Sequence, residues 1–449
     1  MRIKNYSFIK HLLLSGFLIL AVSGPVFAQT FSDAVVLSLD EALEMGKEKS
    51  FGVRLAEKEK AINKSRFQQS SAVFLPQIIV EETGVKTNDP LNVFGFKLKQ
   101  EIVTTTDFTP ALLNDPDAKQ NYTTKFEIRQ PLINPDGILQ RSAAGYQYKS
   151  SVKQYEGMQH SISFQIKNAY YQVVLAREGI GVLEASLKAS KEFELQALNY
   201  FNQDLINRAE YLDAKVHAMD VEQQLIEAEN NLQQAKDQLR YLLNIDQGTD
   251  IETSTPLEQV ALTGEYGEMK WNGNSTMKAI GYQVKAAEQM VKASKFSFLP
   301  RLNLFGSYAF NDGSLLGTDA DSYMIGASFS WNLFSGMKQV GQVNQSKAEL
   351  QKAKIMYEQA EVNNEMQIKA ARRNVTQAQK KKELAELTIE QAEEDLRIKN
   401  SRYNQGLEKT GDLLMAEAKL SQFKIQKLQA LYQYNIGIAM LEFLYETEL

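Results

Sequence analysis

Cysteine is absent from the 449-residue sequence, and the only histidines are His11, His160 and His217. The first absence excludes disulfides and thiolate metal sites, and the second argues against a histidine metal centre or a histidine-based triad. No catalytic residue, metal or cofactor is therefore expected. Proline and glycine are sparse, at 9 and 25 residues, which favours long unbroken helices. Positive charge is not in excess either: the formal net charge is -5, which gives no basic field of the kind nucleic acid needs. No Gly-rich phosphate loop or nucleophile motif stands out. The abundant Glu, Lys and Gln, including Lys380-Lys381-Lys382-Glu383, read as solvated helix faces.

What is present begins with a processing signal. Arg2, Lys4 and Lys10 precede the apolar run Leu12 to Val22, which ends in Val26-Phe27-Ala28. That order describes a secretory signal peptide over residues 1–28, too short and wrongly flanked for a membrane anchor. Without a cysteine to carry a lipid, export beyond the inner membrane without lipidation is expected.

The remainder repeats itself. Ser70-Ser71-Ala72-Val73-Phe74-Leu75-Pro76-Gln77-Ile78 is echoed by Ser294-Lys295-Phe296-Ser297-Phe298-Leu299-Pro300-Arg301-Leu302, an offset of about 224. Phe201-Asn202-Gln203-Asp204-Leu205 answers to Tyr403-Asn404-Gln405-Gly406-Leu407 at an offset of about 202. The two offsets differ by one insertion of about 22 residues, between Val85 and Tyr122. It contains Val93-Phe94-Gly95-Phe96-Lys97-Leu98 and Pro90, Pro110 and Pro116, and is expected to be a long extracellular loop covering or decorating the mouth.

Each half reads as helix, strand, loop, strand, long helix, turn, helix: a first repeat over 29–245, a linker with small elements over 246–276, and a second repeat over 277–449. Strands are expected at about 77–85, 122–130, 301–310 and 322–331, because the hydrophobic period there is two. Leu302, Leu304, Tyr308 and Phe310 oppose Arg301, Asn303 and Ser307, and Phe126 and Ile128 oppose Lys125, Glu127 and Arg129. Glu82 falls awkwardly on the apolar side and is read as a rim position. Pro131 and Asn332 are expected to end the strands. Helices then run from near Ile138 to Tyr200 and from near Met337 to Tyr403, each on the order of 95 Å long. Their seams step by four and three, as in a coiled coil: Ile162, Ile166, Ala169, Val173, Ala176, Ile180, Leu183 and Leu187, answered by Val221, Leu225, Ala228, Leu232, Ala235, Leu239 and Leu242. The last helix is looser, with Lys427 in its seam.

Four amphipathic strands cannot close a membrane barrel, whose smallest form has eight. A dimer supplies eight strands and a filled interior, whereas a trimer supplies twelve and leaves room for a pore. Asn303, Ser307, Ser328 and Ser330 suit a wet lumen. Trp331 and Phe329, at the strand end that meets the long helix, suit an aromatic membrane-interface girdle. Periodicity alone leaves open a structural periplasmic coiled coil carrying a soluble hairpin.

Across essentially its whole mature length the chain resembles the TolC family of outer-membrane efflux proteins. The resemblance is carried by Leu37-Ser38-Leu39-Asp40-Glu41-Ala42-Leu43, the paired Phe-Leu-Pro segments, Gln130-Pro131-Leu132-Ile133, Trp331-Asn332-Leu333-Phe334-Ser335-Gly336, Arg402-Tyr403-Asn404-Gln405-Gly406 and Asp412-Leu413-Leu414-Met415-Ala416-Glu417. It implies a mainly α fold with a membrane β-barrel contribution: duplicated helix-strand-strand-helix halves, a long coiled-coil α-barrel, and four strands per chain in a trimeric twelve-stranded barrel. It also implies a location in the outer membrane with extension into the periplasm, and docking to a periplasmic adaptor and an inner-membrane transporter.

The resemblance further places the tips near 203–210 and 405–412, Asp204 among them, at a periplasmic entrance that is closed at rest. The family's acidic ring matches Asp412, while its companion acidic position is Met415; Asp412 could equally be only a helix cap. The family's latch matches Tyr403 and Glu210, and an arginine of that latch is replaced by Glu408. A rewired latch is expected, with Tyr403 bonded to Glu210 and Arg402, Lys409 or Arg208 as the cation; packing at the tip is the plain alternative for Tyr403.

Overall fold

The computed structural model describes residues 35–260 and 273–447. The signal peptide expected over 1–28 and part of the 246–276 linker lie outside them. Strand β1 (Val35–Leu37) and helix α1 (Leu39–Lys49) come first. Helix α1 starts at a capping box, in which Ser38 accepts from the Glu41 N–H at 3.3 Å and Glu41 accepts from the Ser38 N–H at 2.8 Å. The Ser38 N–H, and then the Ser38 hydroxyl at 2.8 Å, donate to the Glu41 carboxyl and hold it below the ordinary carboxylate range.

The duplicated unit then appears twice. Its first copy is α2 (Phe51–Gln69), β2 (Gln77–Thr87), α3 (Pro90–Lys99), α4 (Pro110–Asn114), β3 (Lys119–Ile133), α5 (Pro135–Asn202) and α6 (Arg208–Leu243). Strand β4 (Ile251–Thr253) pairs in parallel with β1. The second copy is α7 (Ser275–Phe296), β5 (Arg301–Asp312), β6 (Ala320–Ser330), α8 (Lys338–Tyr403) and α9 (Thr410–Tyr445). Helices α5 and α8, of 68 and 66 residues, each span about 100 Å. Among the described residues no helix is long and apolar enough to cross a membrane.

Strands β2, β3, β5 and β6 form one antiparallel sheet in that order, with β2 and β6 as unpaired edges. Register fixes two unlike faces. Ile78, Val80, Phe126, Ile128, Leu302, Leu304, Tyr308, Tyr323, Ile325 and Phe329 share one. Lys125, Glu127, Arg129, Asn303, Ser307, Ser322 and Ser328 share the other, where Glu127 pairs with Lys125 at 2.7 Å and with Arg129. On β5 the apolar side runs from Leu302 to Phe310, about 26 Å along the strand, close to the height of a barrel's lipid-facing band.

Two expectations change in this region. Pro131 does not end its strand: β3 continues to Ile133, and the missing proline N–H coincides with a register shift between Pro131 and Ile133. The insertion is not a bare loop. Asp89 caps α3 by accepting from the Asn92 N–H at 2.9 Å, Pro90 occupies the first turn, and the segment folds back on itself through α4. The Glu82 position is also explained, since its carboxylate accepts from the Thr124 hydroxyl and from the Leu316 N–H at 3.3 Å. It lies in register with Thr124, Phe310 and Asp321, a mostly polar row that bounds the apolar face.

The largest core lies midway along the long helices, where α1, β1 and β4 pack on α5, α6 and α9 around Leu37, Ala42, Ile166, Tyr170, Leu239, Leu243 and Ile251. Tyr170 is tied there by donating to the Leu37 carbonyl at 2.8 Å and accepting from the Thr255 N–H at 3.0 Å. A second core joins Ile368, Val375, Tyr434, Ile438 and Leu441 of α8 and α9. Gly437 permits that approach, since a Cβ there would lie 2.7 Å from Val375 Cγ2. Lys427, the misfit in the seam, reaches out to Glu386 at 3.4 Å.

Candidate functional site

The far ends of the two long hairpins carry the candidate residues. Each hairpin turns through the same device. Helix α5 ends as the Leu205 N–H donates to the Tyr200 carbonyl at 2.9 Å, and α8 ends as the Leu407 N–H donates to the Arg402 carbonyl at 2.9 Å. Each turn needs one residue in the left-handed region: Gly406, with φ of 72°, in the second repeat, and Asp204, with φ of 56°, in the first. The position of Asp204 is thus a backbone requirement of the turn, and its carboxylate points to solvent.

Between the turns the two hairpins meet through a chain of hydroxyls. Asn207 caps α6 by accepting from the Glu210 N–H at 3.1 Å and donates to Glu210 Oε1 at 2.7 Å. The other carboxylate oxygen, Oε2, is reached by the Thr410 hydroxyl at 3.4 Å. That hydroxyl lies 3.2 Å from the Tyr403 hydroxyl. Thr410 has one proton, which it can give to Glu210 Oε2 or to the Tyr403 hydroxyl, and while it serves Glu210 the Tyr403 O–H supplies the other link. The expected direct Tyr403 to Glu210 bond is not what this chain makes; Thr410, itself buried, stands between them. Tyr403 is only 2% exposed and packs against Tyr200, with ring centroids 5.5 Å apart. Burial pushes its phenol above the ordinary tyrosine value, the Thr410 bond opposes this, and the charge of Glu210 adds to the rise.

The charged residues sort differently from the expected latch. Arg402 Nε donates to Glu408 Oε2 at 2.8 Å, and its Nη2 to the Leu407 carbonyl at 3.3 Å, so Glu408 is neutralised inside its own turn. Arg402 is therefore not the partner of Glu210. Asp412 lies in the first turn of α9, where a carboxylate is favoured by the helix dipole, but the cap position belongs to Lys409 and Asp412 makes no capping bond. Asp412 and Met415 sit three residues apart on one exposed stripe of α9, Met415 being 56% exposed.

One cluster escapes a hydrophobic reading of the sequence. About two turns in from the tip, the buried Glu417 of α9 accepts from the Ser186 hydroxyl of α5 and shares a 2.8 Å hydrogen bond with His217 Nε2 of α6. Three helices from both hairpins are tied at one carboxylate. The available signal was the pair of serines, Ser186 and Ser190, at seam spacing in α5. Gln196 of α5 and Asn404 beyond α8 add another cross-hairpin bond.

At the opposite end Trp331 and Phe329 are exposed just where β6 ends, and Trp331 Nε1 donates to the Phe298 carbonyl at 2.9 Å. An aromatic ring with its N–H satisfied by backbone is fixed in orientation while its face stays open.

Comparison with known proteins gives one family. The outer membrane efflux protein family matches residues 98–244 and 271–444. No curated protein matches the sequence. Among solved structures, the CmeC outer membrane channel of Campylobacter jejuni superposes with a TM-score of 0.77 at 15% identity, over 92% of this chain and 86% of that one. The outer membrane protein VceC of Vibrio cholerae gives 0.76 at 18% identity, over 92% and 97%. The MtrE outer membrane channel of Neisseria gonorrhoeae, in its open state, gives 0.74 at 16% identity, over 92% and 89%.

Proposed function

The chain belongs to the outer membrane efflux protein family, and from that premise we propose that three copies assemble into a passive duct, the exit channel of a tripartite efflux or type I secretion machine. The observation that carries the reading is one sheet with an apolar face, a polar face and two unpaired edges, joined directly to helical hairpins about 100 Å long. Unpaired edges within a bilayer must be satisfied by strands, and pairing β6 of each copy with β2 of the next closes twelve strands. The repeats over 29–245 and 277–449 then supply equal shares of barrel and tunnel. The apolar face meets lipid, and Trp331 and Phe329 lie at the interface. The hairpins cross the periplasm, where an adaptor and an inner-membrane transporter dock.

At the periplasmic end the Tyr403, Thr410 and Glu210 chain holds the entrance closed, with Glu417 and His217 as a second tie. Asp412 from three copies makes a negative ring that favours cations, which Met415 leaves without an acidic companion. The test is recovery of a heat-modifiable trimer in outer-membrane fractions that forms discrete channels in planar bilayers. A soluble periplasmic monomer without channel activity would refute the proposal.

A further inference from the structure

The insertion of the first repeat folds over the polar face of the sheet. Gln100, just beyond α3, donates through Nε2 to Asn121 Oδ1 at 2.9 Å and to the Gln120 carbonyl at 2.8 Å. Asn121 donates in turn to Asn311 Oδ1 at 3.1 Å and to the Thr123 hydroxyl at 2.9 Å, and Thr123 donates to Asn311 at 2.9 Å. Asn121, Thr123 and Asn311 alternate in phase with Lys125, Glu127 and Ser307, so all belong to the polar face, and Gln100 of the insertion is buried together with Asn121 and Asn311 of the sheet. The segment is itself a folded piece. Lys97 pairs with Asp107 at 2.6 Å, Asp107 also accepts from the Thr104 N–H at 2.7 Å, and Phe94 meets Phe108 edge to face.

This arrangement has a consequence for the apolar side chains the segment leaves open. Leu91 is 81% and Phe108 61% exposed, and Leu98, Ile102 and Leu112 are exposed as well. Lipid cannot cover them, because the segment is bonded to the face turned away from lipid. Open apolar patches on a water-filled passage carry a hydration cost that a protein surface would remove. The nearest such surface is another copy, since α3 follows directly on β2, an edge that the neighbouring copy must pair.

We infer that residues 88–118 form an inward-folded cap whose exposed apolar side chains meet the same segment of neighbouring copies, giving the duct a second constriction at its outer mouth. The inference rests on the channel reading above, and the occupant it names is a second copy of this chain.

The absence of cysteine makes the test direct. Ser307→Cys, on the polar face beneath the cap, is labelled from outside intact cells with a small membrane-impermeant maleimide and with the same maleimide on a bulky polymer. In the intact chain the small reagent reacts and the bulky one does not. Replacing residues 90–116 by a short Gly-Ser linker raises the bulky reagent's labelling rate at least tenfold. Equal bulky labelling with and without the cap overturns the inference and leaves the channel standing, whereas failure of the small reagent in both chains overturns the channel reading and the inference together. Leu91→Cys and Phe108→Cys in the otherwise intact chain provide a check free of the deletion. A short bifunctional maleimide links two copies in the trimer through at least one of these positions, and linkage at neither also overturns the inference.

Discussion

Replacing Thr410 by valine removes one hydroxyl and keeps the shape of the side chain, and among the described residues that hydroxyl is the only group hydrogen-bonded to both Tyr403 and Glu210. The two bonds are long, 3.4 Å to the carboxylate and 3.2 Å to the phenol, so each falls at the low end of its class. A neutral bond is worth about 0.5 kcal/mol at that end and one to a charged group about 1.5 kcal/mol, a loss of about 1–2 kcal/mol per copy. The Tyr403 hydroxyl, buried, is left without a partner, which adds to the loss in the closed form. A change of this size multiplies the open-to-closed ratio about 5- to 30-fold per copy. Single-channel recording in planar bilayers measures it as the fraction of time spent at high conductance. Tyr403→Phe should move the ratio the same way, and the double variant by less than the product of the two, because both changes break the same chain. A Thr410→Val channel with wild-type open fraction and conductance would refute the latch.

Four further outcomes follow from the same geometry. Because burial raises the Tyr403 pKa, the closed form keeps its full advantage below the ordinary tyrosine value near 10 and loses it as pH rises through the raised value; the open fraction should therefore climb at strongly alkaline pH, and Tyr403→Phe should abolish the climb. Lys97 first, and then the Thr104 N–H, hold the Asp107 carboxyl at about 2, so the cap is fully stabilised above pH 3.8 and loosens as pH falls through about 2, read as hydrogen exchange over residues 88–118, with Asp107→Asn already loosened at neutral pH. A double-mutant cycle of His217→Ala and Glu417→Ala on the open-to-closed ratio should show a coupling of about 1 kcal/mol, and additivity would separate the pair from gating. Gly437→Ala should lower the thermal midpoint, since a Cβ set 2.7 Å from Val375 Cγ2 costs about 1–3 kcal/mol, more than the roughly 1 kcal/mol of helix propensity it gains.

The parts legible in the sequence are those written in hydrophobic period. The alternation at Leu302 to Phe310 and at Phe126 and Ile128 places the two faces of the sheet, and the four-three stepping from Ile162 to Val173 marks positions that are buried in α5. Past Val173 the pattern misleads. It is right at Leu183 but also points to Ile180 and Leu187, which are only half-buried, and passes over the buried Ser186, Ser190 and Ala197. Small residues let helices come close, and serines carry no weight in a hydrophobic count, so a seam built on them is silent. The insertion fails for a related reason: Asp89-Pro90 is a helix-start signal, but three prolines in one stretch read first as loop. At the tip the family resemblance singles out Tyr403 and Glu210. Thr410 is found only through the folded geometry, because one threonine after a lysine has no pattern of its own.

The silence of the tip is what the proposed gate would require. Midway along the long helices, sixteen buried residues form one core and bind α1, β1 and β4 across the hairpins. Between the hairpins near the tip the buried apolar cluster is smaller, Ala197, Ala214 and Leu414, with Phe193, Ile206 and Tyr211 partly buried against it. Three buried residues, two of them alanines, contribute less than sixteen that include Tyr170, Leu239 and Leu243, so apolar contact holds the hairpins more firmly at mid-length than at the end. What the tip lacks in apolar contact it replaces with hydroxyl, carboxylate and imidazole bonds from Thr410, Tyr403, Glu210, Glu417 and His217. Polar bonds exchange for water at a net cost of about 0.5–1.5 kcal/mol each when the helices part, whereas exposing a large apolar core costs far more. Under the proposed gating, this gradient would let the ends separate without unfolding the middle, with the hinge between Glu417 and the Tyr170 core, and the tip variants above should alter gating before they alter folding.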